Sequence, residues 1–214
     1  TIIMKIKGER SLSSRLWLDR QINDPYVKRA HRDGYRSRAV FKLIEMDDKF
    51  HFIKNAKSIM DLGAAPGGWC QVLSQRSPSD ARISAIDFLP FDFIDKVRQF
   101  CGDFENEDNR RKMGSYLGSK ADLIVSDMAP STTGHAQTDH IRIMRLAESV
   151  HAFARDVLEE EGTLVVKVFQ GGREKSFLES LRSDFQKTCF FKPKSSRNCS
   201  VEIYVVATGF KKCN

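Results

Sequence analysis

Two charged residues interrupt β-branched runs that would otherwise be continuously apolar. Lys167 lies in Gly162-Thr163-Leu164-Val165-Val166-Lys167-Val168-Phe169, and Glu202 in Val201-Glu202-Ile203-Tyr204-Val205-Val206. A central parallel strand is buried on both faces, and a lysine is almost never fully buried unless paired. Lys167 therefore requires a carboxylate. Asp127 follows Leu123-Ile124-Val125-Ser126 on what reads as a neighbouring strand, and is a candidate partner. Pro130, three residues on, pushes the chain out of helix and into a loop at the strand end. Burial and nearby cations lower the pKa of a lysine and a carboxylate raises it, and a balance of the two makes a general base. A lysine that snorkels from a strand end is the alternative.

Further carboxylates close other β-prone runs. Asp87 follows Arg82-Ile83-Ser84-Ala85-Ile86, and Asp103 follows Phe100-Cys101-Gly102. In an open parallel sheet, ligands bind beyond the carboxyl ends of the strands. The stretch Asp61-Leu62-Gly63-Ala64-Ala65-Pro66-Gly67-Gly68-Trp69 stands at another such end, after Ser58-Ile59-Met60 and before a segment that reads as helix. Its glycines, Gly63 among them, let backbone approach a ligand closely. Their G-x-x-x-G-G spacing differs from the G-x-G-x-x-G cradle for a pyrophosphate. It suits a nucleoside with an amino-acid tail and no phosphate, which points to S-adenosylmethionine. Asp87 would then accept hydrogen bonds from the ribose hydroxyls and Asp103 from the adenine amino group. Either could instead cap its own turn.

The elements that must hold these residues follow from periodicity. From Ser58 onward strands and helices alternate, the signature of a parallel sheet with crossovers. Strands are expected near 58–62, 82–87, 97–101, 121–126 and 162–169, and helices near 67–76, 105–117, 138–159 and 173–184. Ile143, Ala147, Val150, Ala154 and Val157 share one face of the third of these helices. Phe185 to Lys192 and Ser200 to Thr208 read as two strands with no helix between them, hence a terminal antiparallel hairpin. Before the sheet, a helix is expected over Ser13–Ile22, a turn at Asp24-Pro25-Tyr26, and a helix from about Ser37 to Lys49.

Charge is distributed unevenly. Residues 1–50 hold twelve Lys or Arg against seven Asp or Glu, and residues 182–214 hold seven against two, although the whole chain is only +7. Basic ends around a slightly acidic centre suit a polyanion, and the dense group Lys28, Arg29, Arg32, Arg36 and Arg38 is the first candidate surface. A solvated basic surface is the plain alternative. The five cysteines include no C-x-x-C pair and the five histidines no ligand spacing, so no metal is expected and a reduced, cytoplasmic compartment fits. No window approaches a membrane span, and Thr1 to Arg10 do not form a secretory signal.

Several separate stretches, in order, resemble the RrmJ/FtsJ family of RNA 2′-O-ribose methyltransferases: Gly34-Tyr35-Arg36-Ser37-Arg38-Ala39 with Phe41-Lys42-Leu43, then Asp61 to Trp69, Ser126 to Pro130, Val165 to Gly171, Ser195-Ser196-Arg197, and Glu202 with Tyr204 to Gly209. The resemblance implies a Lys-Asp-Lys-Glu tetrad at Lys42, Asp127, Lys167 and Glu202. It promotes Lys42 from an ordinary surface lysine to a site residue. It also implies methyl-donor contacts at Gly67, Trp69, Asp87, Asp103 and Asp127. The implied fold is α/β and Rossmann-like: a mostly parallel twisted sheet, a terminal antiparallel hairpin, and helices on both faces. The implied organisation is a single methyltransferase domain over 1–214, with 1–50 a basic helical extension that contributes to RNA binding. The compact bacterial form looks closest, and its members methylate a uridine ribose in the A-loop of large-subunit ribosomal RNA. The expected partner is ribosomal RNA within the large subunit, met through Arg29, Arg32, Arg36, Arg38 and Arg197, with no membrane and no obligate protein partner. Two segments depart from the family pattern: Ser131-Thr132-Thr133-Gly134 and Gly171-Gly172-Arg173. Transfer RNA or an mRNA cap as substrate, a nicotinamide-dependent oxidoreductase, and an RNA-binding protein without catalysis are the alternatives.

Overall fold

The structure, a computed structural model, describes residues 23–172 and 174–211. The helix expected over Ser13–Ile22 lies outside them. Among the described residues, two helices precede the sheet, α1 (Pro25–Arg32) and α2 (Val40–Phe50). The Asp24-Pro25 signal opens a helix and does not make a turn. The Asp24 side chain accepts the Tyr26 backbone N–H at 3.0 Å, and Pro25 occupies the first helical turn, where its missing N–H costs nothing.

The alternating region runs β1 (Ser58–Leu62), α3 (Gly68–Arg76), β2 (Arg82–Asp87), β3 (Val97–Cys101), α4 (Glu107–Leu117), β4 (Ala121–Ser126), α5 (Ala136–Val157), β5 (Leu158–Phe169) and α6 (Glu174–Leu181). It closes with the hairpin β6 (Phe185–Phe191) and β7 (Glu202–Phe210). The seven strands lie in the order β3-β2-β1-β4-β5-β7-β6. The first five are mutually parallel, while β7 is antiparallel to β5 and β6 to β7. This is the expected Rossmann-like arrangement. Its strand order reverses between β1 and β4, so a crevice must open there at the carboxyl ends of the strands. Among the described residues, no helix is long and apolar enough to cross a membrane.

One boundary differs from expectation. The helix predicted to reach 159 ends at Val157, because Leu158 already pairs with Ala121 as the first residue of β5. The three glutamates that follow, Glu159 to Glu161, bulge into solvent before the ladder resumes at Thr163, and Glu161 takes a left-handed φ of 66°. An acidic run cannot continue either the buried helix face or a central strand, so the chain ejects it.

Each face of the sheet carries its own core. On one, Met113 and Leu117 of α4, Ile143, Ala147 and Val150 of α5, and Phe177 of α6 meet Ile124, Val166 and Val205. On the other, Val40, Leu43 and Met46 of α2 and Val72 and Leu73 of α3 meet Leu123, Val125, Val165 and Tyr204. Residues 40–50 are thus not appended to the domain but form part of its second helical layer. Leu43→Ala should accordingly cost about 2–5 kcal/mol of stability, the usual penalty for a buried leucine. Urea unfolding of the full chain measures it; an unchanged midpoint would mean that α2 sits outside the cooperative unit.

Candidate active site

The pairing of β5 with β7 sets the centre of the site. Lys167 is the cross-strand partner of Tyr204, and Phe169 of Glu202. Side chains alternate along a strand, so Glu202, Tyr204 and Val206 share a face. That face looks toward α2, which contributes Lys42. The Lys167 ammonium lies 3.0 Å from Asp127 Oδ1 and donates to the Asp127 backbone oxygen at 2.5 Å. Lys42 Nζ lies 2.5 Å from Glu202 Oε1 and 5.8 Å from the centre of the Tyr204 ring. The four residues of the expected tetrad therefore meet as two ion pairs, although they come from α2, the end of β4, β5 and β7.

Tyr204 joins the pairs and was not singled out from the sequence. It is completely buried, and its hydroxyl donates to Asp127 Oδ1 at 2.6 Å. Its spacing, two residues after Glu202 in a strand, was the available signal. Burial pushes its phenol well above the usual value, and the charges of Asp127 and Glu202 add to this, so it stays a donor. For Asp127, burial alone would favour the neutral acid. Lys167, then Lys42, then the Tyr204 hydrogen bond outweigh burial and hold its pKa below the ordinary carboxylate range. Ser196 is a second missed neighbour; its hydroxyl donates to Glu202 Oε1 at 3.1 Å.

Beside the tetrad lies a cavity of about 560 Å³ with Gly63, Asp87, Asp103, Asp127 and Met128 on its walls. It occupies the crevice where the strand order reverses. Gly63 has φ 82°, and a Cβ on it would lie 2.6 Å from Met128 Cγ and 3.0 Å from Met128 backbone, so only glycine lets the loops after β1 and β4 pass. Asp87 accepts the Ala65 N–H on one oxygen and the Leu89 N–H on the other, both at 3.0 Å. Asp103 accepts the Glu105 N–H at 2.9 Å. Both carboxylates hold their own turns and border the cavity at once. Two carboxylates on one wall disfavour a pyrophosphate and suit hydroxyl and amine donors. Arg142 and Arg145, three apart on α5, also line the cavity and were not anticipated.

Gly67 and Trp69 do not line it. Trp69 is buried between α2, α3 and β7, its indole N–H donating to the Ala39 carbonyl at 2.8 Å and its ring 5.8 Å from that of Tyr204. Gly67 is roofed by the Arg36 guanidinium. A Cβ there would come within 2.6 Å of Arg36 Nη1.

The five arginines expected on RNA divide sharply. Arg36 donates to the carbonyls of Pro66, Asp92 and Phe93, tying the glycine loop to the segment after β2. Arg38 is largely buried between the Asp24 carboxylate and the Ser195 carbonyl. Both guanidiniums hold the fold together from inside a basic-looking run. Arg29 and Arg32 stand exposed beside Asp33, and Arg197 is partly exposed near Asp24.

Beneath the glycine loop, Asp61 is fully buried. Cys70 Sγ donates to its Oδ2 at 3.0 Å, and Oδ1 has no partner among the described residues. Burial raises its pKa to about 7; the Cys70 hydrogen bond opposes this, and the charges of Asp127 and Asp87 reinforce it. The folded chain thus keeps a proton that the unfolded chain releases near 3.8. Its contribution to stability is complete below that pH and is lost as pH rises through about 7. Between pH 4 and pH 8 the wild type should lose up to roughly 4 kcal/mol relative to Asp61→Asn, at ~1.4 kcal/mol per pKa unit. Parallel urea titrations at the two pH values check this, and equal pH profiles would place the proton elsewhere.

Known proteins share this chain's sequence and fold over most of its length. Residues 35–210 match the FtsJ-like methyltransferase family. A protein of Granulibacter bethesdensis named ribosomal RNA large subunit methyltransferase E is 49% identical over 210 residues, spanning 98% of this chain and 90% of its own. One of the same name from Nitrobacter hamburgensis is 49% identical over 213 residues, spanning 98% and 93%. Among solved structures, a ribosomal RNA methyltransferase from Plasmodium falciparum superposes with a TM-score of 0.72 at 32% identity, covering 82% of this chain and 98% of that one. Human methyltransferase-like protein 13, solved with SAH, covers 75% of each chain with a TM-score of 0.54 at 14% identity and shares the fold alone. With its motifs, its sheet order and its relatives in agreement over nearly the whole length, the chain belongs to the FtsJ-like methyltransferase family.

Proposed function

We propose that this methyltransferase moves a methyl group from S-adenosylmethionine to a ribose 2′-hydroxyl of large-subunit ribosomal RNA, in the cytoplasm, with the A-loop uridine as its target. The observation that carries the reading is the pair of ion pairs Lys167–Asp127 and Lys42–Glu202, with Asp127 also on the wall of the cavity. The names of the relatives from Granulibacter and Nitrobacter support the choice of RNA.

The residues present fit the donor. Asp87 would accept from its ribose hydroxyls and Asp103 from its adenine amino group, each carboxylate keeping lone pairs beyond those used in its own turn. Trp69 would serve through its backbone N–H in the first turn of α3, where a helix N-terminus favours a carboxylate, whereas the Gly67 N–H is taken by the Ala64 carbonyl at 2.7 Å. When bound, S-adenosylmethionine supplies a methyl group already activated on a sulfonium. The chain's own residues must then align a poor nucleophile and help remove its proton. Lys167 acts as base only as the neutral amine: its ammonium first gives a proton to solvent, and the amine then takes the proton of the attacking hydroxyl. Asp127 fixes Lys167 through both its carboxylate and its carbonyl, while Tyr204 fixes Asp127 from β7. Lys42 and Glu202 hold the ribose beside them and set the local field.

Two measurements test this reading. Asp87→Ala should weaken binding of S-adenosylmethionine and its demethylated product by roughly 1.5–3 kcal/mol, the value of charge-assisted hydrogen bonds; unchanged calorimetric affinity would remove Asp87 from the donor site. Lys167→Met strands the Asp127 carboxylate and should lower stability, as removal of one partner of a buried pair does, but the fold and donor binding should be retained, while methyl transfer should fall by at least the roughly 10²–10⁴-fold typical of a general base. Lys167→Arg keeps the charge but cannot give up a proton near neutral pH, so single-turnover transfer should fail there too. An active Lys167→Arg enzyme would mean that charge and orientation suffice and that Lys167 is not the base.

A further inference from the structure

A second cleft, of about 500 Å³, lies on the outer face of α2 between α1 and the end of β6. Phe41, Ile44, Glu45, Asp48 and Lys49 form one side, at the i, i+3, i+4, i+7, i+8 spacing of a single helix face. Phe191, Lys192 and Lys194 form the other. The cleft is basic in effect, although it contains two carboxylates. Glu45 is spent on the backbone N–H groups of Lys194 and Ser195, at 2.6 and 2.9 Å, and Asp48 on Arg76 at 2.7 Å. Among the described residues, no carboxylate lies within ion-pairing distance of Lys49, Lys192 or Lys194, and all three are exposed. The cations also lie against rings: Arg29 is 4.5 Å from the centre of Phe41, and Lys49 is 5.0 Å from that of Phe191.

The cleft shares a wall with the tetrad. Glu45 follows Lys42 by three residues on α2, which is less than one turn. The loop that Glu45 anchors, Lys194 to Ser196, ends in the hydroxyl that holds Glu202. A chain of nucleotides with one ribose at Lys42 and Lys167 would lay its next units here. Exposed cations beside aromatic edges and a guanidinium plane are what an unpaired nucleotide uses: phosphate on the lysines, base stacked without readout of its edge. We infer that this cleft is a subsite for the RNA strand flanking the methylated nucleotide, with Lys49, Lys192 and Lys194 contacting its phosphates. The inference rests on the proposed function and adds to it a surface that the N-terminal arginines alone would not mark.

The test uses the full chain with protein-free large-subunit ribosomal RNA and with large subunits, both unmethylated. The triple variant Lys49→Ala, Lys192→Ala, Lys194→Ala should keep S-adenosylmethionine binding, which reports an intact fold. Its RNA affinity should fall at least tenfold near 0.1 M salt. The slope of log affinity against log salt should flatten by about 2, from ~0.7 per single-strand phosphate released. Wild-type protein crosslinked to RNA carrying 4-thiouridine beside the target should be modified within residues 41–49 or 191–194, a result that does not depend on how any variant folds. Wild-type methylation with unchanged affinity and salt slope in the variant, or crosslinks confined to other segments, would overturn the subsite alone. Wild-type protein that neither binds nor methylates either RNA would overturn the proposed function and the subsite together.

Discussion

The structure turns on one half-buried carboxylate. Asp127 sits at the end of β4 with both its charge and its backbone oxygen committed to Lys167 and a further hydrogen bond from Tyr204. An ion taken out of water costs several kcal/mol unless its surroundings replace the lost hydration. Lys167 meets that cost for Asp127, and Glu202 meets it for Lys42. Two cations and two anions then form a group with no net charge, drawn from four elements. No single member can be removed without leaving a charge unbalanced, so the tetrad helps to fix how α2, β4, β5 and β7 meet. Tyr204 stands at the point common to both pairs and remains a donor because burial, and then the charges of Asp127 and Glu202, hold its proton in place.

The rest of the fold reads as support for that group. Trp69 locks α3 to the start of α2 through the Ala39 carbonyl and backs the Tyr204 ring. Glu45 and Arg38 fasten the loop before β7 from two sides, which positions Ser196 against Glu202. Arg36 does the corresponding task on the donor side by gathering three carbonyls from two loops. A planar guanidinium with several fixed donors suits this role, and a lysine would not replace it. The segment most basic in sequence is thus partly scaffold. Its exposed members, Arg29 and Arg32, are left to face solvent or substrate.

What the sequence determined on its own follows from local physics. The alternation of apolar runs with helical periodicity required a mostly parallel sheet. The missing helix between the last two strands required an antiparallel hairpin. Asp87, Asp103 and Asp127 could be put on one rim because each closes a β-prone run, and Lys167 declared itself as a cation in an apolar strand. These inferences need only the period of an element and the cost of burying charge.

Other features depended on distances between residues far apart in the chain. Lys42 looks like any surface lysine of an amphipathic helix until α2 packs against β7; motif resemblance identified it, and packing explains it. Tyr204 reads as one more β-former, and only its register opposite Lys167 gives it a role. Arg36 and Arg38 cannot be told from Arg29 and Arg32 by type or neighbourhood, because a guanidinium has the same propensity whether it meets water or a buried carbonyl. Trp69 lies within the glycine motif, yet its ring turns into the core. In each case the sequence specifies which groups a residue can bond, while the tertiary structure decides which of those groups it meets.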